Sequence, residues 1–104
     1  MHDYELQLSK NYDEVYDAII LAAKKFGKVL DENKVLGHIH FKKGISWVGI
    51  PANYIVAVKK IDENNTGIKM QVQPKVGYTS ITMNQEVSNK AYTNFIKVLS
   101  ETLK

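Results

Sequence analysis

The feature that most constrains this chain is a change of hydrophobic period along it. Two stripes of apolar residues at spacings of three and four enclose a longer stretch in which apolar and polar residues alternate. The first stripe is Tyr12, Val15, Tyr16, Ile19, Ala22, Ala23 and Phe26, and the second is Val87, Ala91, Tyr92, Phe95, Ile96, Leu99 and Leu103. Each stripe is one side of an α-helix that must be buried against something. The second predicts a helix from about Met83 or Asn84 to Leu103, roughly 30 Å long at 1.5 Å per residue, enough to cross a whole sheet. Capping signals agree. Asn11 followed by Glu14 has capping-box spacing, Asp13 adds charge at the positive helix end, and Gly27 follows Lys24 and Lys25 at the other. Thr82 and Gln85 repeat the capping-box spacing.

Between the stripes the period is two. Tyr4, Leu6 and Leu8 already alternate with Glu5, Gln7 and Ser9 ahead of the first helix. Val29 and Leu30 lead into Asp31-Glu32-Asn33, read as a polar turn. Val35, Ile39 and Phe41 then share one face with Gly37, and His38, His40 and Lys42 share the other. A short strand is expected over Ile45–Ile50, and Tyr54, Val56 and Val58 alternate with Ile55, Ala57 and Lys59 as far as about Ile61. Asp62–Gly67 is a hairpin loop, after which Ile68, Met70 and Val72 alternate with Lys69, Gln71 and Gln73. The order is strand, helix, about four strands, helix. One antiparallel sheet of about five strands with both helices on its apolar face satisfies it, leaving the Lys/Gln/His face wet. With no repeat, linker or charge block, residues 1–104 form one α+β domain.

This order resembles the TATA-binding-protein-like fold class, which includes the larger helix-grip proteins that bind apolar ligands. The Tyr-Asp-Glu-Val-Tyr-Asp-Ala helix opening (Tyr12 to Ala18), ahead of a meander and a long terminal helix, also resembles small uncharacterised bacterial domains, some carried on lipoproteins. The resemblance implies a fold and no catalytic signature, and fold analogy does not transmit function.

Charge and composition exclude several classes. All 14 basic residues are Lys, set against 11 acids, for a formal charge of +3. Without Arg, the residue suited to bidentate guanine and phosphate contacts, sequence-specific nucleic-acid reading is not expected. Zero Cys removes disulfides, thiolate metal sites and cysteine nucleophiles. No apolar run approaches the ~20 residues of a membrane span. The start lacks the pattern of a signal peptide, so a cytoplasmic location is the default, with export or lipoprotein anchoring if a leader once preceded it.

Three constellations are candidates for chemistry. His38 and His40 lie two apart on one strand and point the same way, which suits two metal ligands; a zinc site needs a third and usually a fourth. His2 is the remaining imidazole, and no Asp or Glu stands at a spacing that places it beside the pair. Ser46 with either histidine lacks an orienting carboxylate and a nucleophile elbow. The segment Gly44-Ile45-Ser46-Trp47-Val48-Gly49-Ile50-Pro51 holds the only Trp between two glycines, and the tip around Tyr78 is expected near it. Trp47 either closes one end of the core or forms a semi-exposed rim, and the two readings stay open here. The leading expectation is a non-enzymatic, cofactor-free module that contacts a protein partner or a second copy through Trp47, Val48, Ile50, Tyr54 and Tyr78. The alternatives are a metal-binding protein or metal-dependent enzyme using His38 and His40, and a binder of a small apolar ligand.

Overall fold

A computed structural model describes residues 2–43, 52–74 and 85–103, with side chains for 3–43, 52–73 and 89–103. Its elements are β1 (His2–Leu8), α1 (Tyr12–Phe26), β2 (Lys28–Asn33), β3 (His38–Lys43), β4 (Ala52–Asp62), β5 (Asn65–Pro74) and α2 (Gln85–Leu103). The strands form one antiparallel sheet in the order β1-β5-β4-β3-β2. β1 therefore occupies one edge and β2 the other, so α1 carries the chain across the full width of the sheet. Both helices lie on the same face, as the sequence order requires.

Alternation sorts the sheet residues. Ile39 and Phe41, then Tyr54, Val56 and Val58, then Ile68, Met70 and Val72 are all buried, and they meet Val15, Tyr16, Ile19, Ala22 and Ala23 of α1 and Ala91, Phe95 and Leu99 of α2. The β1 residues Tyr4, Leu6 and Leu8 pack at the margin of this core. The intervening residues, among them Glu5, His38, Ala57, Lys59 and Lys69, line the helix-free face. Among the described residues no helix is long and apolar enough to cross a membrane.

The helix ends follow the expected chemistry, with one change of reason. Asn11 Oδ1 accepts the N–H of Glu14 at 2.8 Å, capping α1, and the N–H of Gly27 donates to the carbonyl of Ala23 at 2.8 Å. Gly27 is extended, with φ −165°. A Cβ there would run into the backbone carbonyl of Lys42, so the glycine allows close approach of the chain to β3 rather than a left-handed cap.

The β2–β3 connection departs from expectation. Asp31-Glu32-Asn33 is not a turn but the second half of β2, with a register shift between Val29 and Asp31. The turn comes later, closed by the pairing of Asn33 with His38. Asn33 Oδ1 accepts the Leu36 N–H at 3.0 Å, the Tyr12 hydroxyl donates to the Lys34 carbonyl at 2.6 Å, and the Val58 N–H donates to the Gly37 carbonyl at 2.7 Å. Val35 consequently stands at the tip, 95% exposed, instead of on the inner face with Ile39. Polar residues are tolerated in β2 because it is an edge strand, where water reaches one side of the ladder. The expected strand over Ile45–Ile50 and the Thr82 cap fall on residues outside those described.

Gly37 is the one residue with positive φ, +70°, among the described residues, and a Cβ there would overlap the Val58 carbonyl. Gly37→Ala is expected to lower unfolding free energy by about 2 kcal/mol or more, because left-handed strain adds to displacement of β4. Gly67→Ala, whose Cβ would meet only ordinary contacts, should change it by less than about 1 kcal/mol. Urea unfolding midpoints of the two variants test the contrast.

Candidate functional site

Among the described residues the densest aromatic packing lies at the sheet end where β3 finishes and β4 begins. Phe41 and Tyr54 are direct cross-strand partners, and their rings stack at 4.7 Å between centroids with an interplanar angle of 3°. Phe95 of α2 lies over Phe41 at 4.7 Å. Phe26, the last residue of α1, meets Tyr54 and Phe95 edge-on, each at 5.4 Å. Edge-to-face contact places the positive ring edge against the negative face of its neighbour. Lys43 completes the arrangement, with Nζ 4.7 Å from the Phe26 ring centroid and donating to the Phe26 carbonyl at 3.4 Å. Phe41, Tyr54 and Phe95 are fully buried, whereas Phe26 keeps an accessible flank.

Two further contacts hold α2 in place. The Tyr54 hydroxyl donates to the Ala91 carbonyl at 3.2 Å. At the β1 edge, Tyr4 stacks on Tyr92 at 4.2 Å, and its hydroxyl donates to Asn89 Oδ1 at 2.7 Å.

Three chain ends converge here. Lys43, the last residue of β3, pairs with Ala52, the first of β4, and Ala52 pairs on its other side with Pro74, the last of β5. Residues 44–51 and 75–84 therefore join the sheet at neighbouring positions of one end. Trp47, Val48, Ile50 and Tyr78 belong to those segments and lie outside the described residues. Tyr54 is described, and its placement differs from expectation: it is a core residue beneath that end rather than part of a surface. The reason is register, which sets it opposite Phe41 on the inner face.

The histidines stand elsewhere, on the helix-free face. Strand pairing brings Asp31 beside them, a neighbour the sequence spacing did not reveal: Asp31 Oδ2 lies 3.6 Å from His38 Nε2. Nε2 of His40 is buried without a hydrogen-bond partner. Among the described residues no group of three or more His, Asp or Glu side chains is arranged to hold a metal ion. Sequence reasoning also missed the aromatic cluster as a unit, since its members come from four elements and share no local motif.

No protein-family model matches the chain, and no curated protein matches it. Solved structures do. The chain is similar to the di-domain ARO/CYC protein BexL from the BE-7585A biosynthetic pathway, with a TM-score of 0.65 and 12% identity over 99% of this chain and 44% of that one. It is similar to a conserved protein from Geobacillus kaustophilus, with a TM-score of 0.52 and 10% identity over 97% and 90% of the two chains. A second di-domain ARO/CYC protein, StfQ from the steffimycin biosynthetic pathway, gives 0.52 and 8% over 99% and 43%. The chain spans less than half the length of either di-domain protein. At such identities the likeness is one of fold. A likeness of fold alone gives no support to the expectation of a non-enzymatic chain.

Burial sets the alkaline behaviour of the core. It pushes the Tyr54 phenol well above the ordinary tyrosine range, and raises Tyr12, Tyr16 and Tyr92 in the same direction. The folded state thus prefers neutral phenols. Their contribution is full below the unfolded tyrosine value of about 10 and is lost as pH rises past it. Urea stability is expected to fall steeply above about pH 10, and tyrosinate absorbance of the native protein should rise later than that of the unfolded chain. Coincident titrations of the two states would contradict the assignment.

Proposed function

We propose that this chain is a small-molecule binding module for an apolar, ring-bearing ligand, held at the sheet end above the Phe26–Phe41–Tyr54–Phe95 cluster. The observation that carries the reading is the convergence of three strand ends beside this aromatic cluster, of which Phe26 keeps an accessible flank. In the proposal Trp47, Val48, Ile50 and Tyr78 supply the walls. The accessible flank of Phe26 is the first described surface a ligand would meet, and Lys43 beside it offers a cation at the margin. Similarity of fold to proteins of two biosynthetic pathways supports a small molecule over a protein partner. The floor is already filled by its own rings, so the ligand lies upon it rather than inside the core. Affinity then depends on how much of the ligand the two connecting segments cover, and a modest ligand area limits the hydrophobic gain. Binding is assigned, and no reaction.

The neutral probe N-phenyl-1-naphthylamine tests it, because Trp47 is the only Trp and transfers energy to a probe bound nearby. Saturable binding at about ten to a hundred micromolar is expected, with energy transfer from Trp47 and at least about ten-fold weaker binding in Trp47→Ala read by direct excitation. Unsaturable binding, or unchanged affinity in both Trp47→Ala and Tyr78→Ala, overturns the proposal. Concentration-dependent dimerisation abolished by Trp47→Ala, without probe binding, points instead to contact between copies.

A further inference from the structure

The helix-free face carries a depression that none of the foregoing uses. It has a volume of about 530 Å³ and lies over β1, β5 and β4 toward the β4–β5 turn, the opposite end of the sheet from Lys43, Ala52 and Pro74. Its shape follows from two small residues in adjacent rows of the sheet. In one row Gln7, Gly67 and Lys59 stand side by side, and in the next Glu5, Lys69 and Ala57. A wet sheet face is normally covered by long polar side chains. Here Gly67 and Ala57 leave a diagonal gap, and Ile61, half exposed, borders it within van der Waals reach of the position a Gly67 Cβ would take. Gly67, the Ala57 methyl and the Ile61 side chain form its least polar part. Its volume falls within the range of pockets that hold small ligands.

Charge around the gap is uneven. Lys69 faces Glu5 directly across β1–β5, so opposite charges stand side by side there, although the two are not within ion-pair distance. Lys59 faces only Gly67, and among the described residues it forms no ion pair. Gln7, on the far side of Gly67, adds an amide that can donate. An uncompensated ammonium and an amide donor thus flank an apolar floor, while the one carboxylate, Glu5, stands in the next row.

We propose that this depression is a second binding site, for a small amphipathic carboxylate. Its ring or short chain covers Gly67, Ala57 and Ile61, and its carboxylate turns to Lys59 and Gln7, away from Glu5. The site is on the opposite face of the sheet from the aromatic floor and is independent of it.

Titration of the labelled protein with 2-naphthoate, followed by amide shifts, tests this, with 2-naphthalenemethanol as the neutral isostere. Saturable shifts are expected at Ala57, Lys59 and Gly67, with affinity about ten-fold lower in Lys59→Gln and for the alcohol, and higher in Glu5→Gln. Gly67→Val places a β-branched side chain in the gap at a strand position that tolerates it, and should abolish the shifts while the remaining spectrum is kept. Equal affinity for acid and alcohol overturns the proposal, as does unchanged affinity in Lys59→Gln. Shifts confined to the other sheet end, near Ala52 and Tyr54, overturn it too and would belong to the aromatic site instead. If Gly67→Val fails to fold, Lys59→Gln decides alone.

Discussion

The stack of Phe41 on Tyr54 is the contact on which the rest of the architecture depends. It joins two neighbouring strands by side chains as well as backbone, and it is the surface on which both helices end or cross. Phe26 brings the end of α1 to it, and Phe95 brings the middle of α2. Planar rings bury large areas with few rotatable bonds, so a cluster of four fixes orientation as well as supplying burial. The Tyr54 hydroxyl adds direction, since its bond to the Ala91 carbonyl fixes where along its length α2 sits. A phenylalanine would fill the same volume without that information.

A sheet covered on one face has two different surfaces, and this chain treats them differently. The inner face is filled by its own side chains, with the aromatic cluster at the end where β3 stops and β4 begins. Among the described residues no helix covers the outer face, and polar side chains normally keep such a face wet. Where small residues replace them, at Gly67 and Ala57, the face acquires relief. The β2–β3 turn adds a third feature. Anchored by Tyr12, Asn33 and the left-handed Gly37, it presents Val35 and Leu36 to solvent on a firm base. Lys34 ties the same turn to α1 through Asp13 and Asp17 at 3.4 and 3.1 Å. Ion pairs this exposed contribute little, but they limit the turn's freedom.

Much of this organisation was legible in order and period. The α1 stripe with its Asn11 cap, the alternation in β4 and β5, and the long α2 stripe are each local signals, and each produced the expected element. Where reading went astray, pairing had overruled propensity. Asp31-Glu32-Asn33 has the composition of a turn, yet the edge position of β2 lets those residues extend, and Gly37 draws the turn after them. Likewise, Tyr54 is near Trp47 in sequence, yet register sets it opposite Phe41 and turns its ring inward. Asp31 and His38, separated by a turn, became neighbours for the same reason.

Sequence alone determined the class of this protein: an α+β domain with a helix that must cross a sheet, a wet lysine-rich face, and no cysteine or arginine chemistry. Those properties follow from periodicity and composition, which act locally or additively along the chain. Tertiary structure decided which residues become neighbours. Phe26, Phe41, Tyr54 and Phe95 form one floor, and Gly67, Ala57 and Lys59 one depression, only because antiparallel register and helix crossing fix neighbours across the sheet. Register is a property of paired strands, and no single strand's sequence contains it.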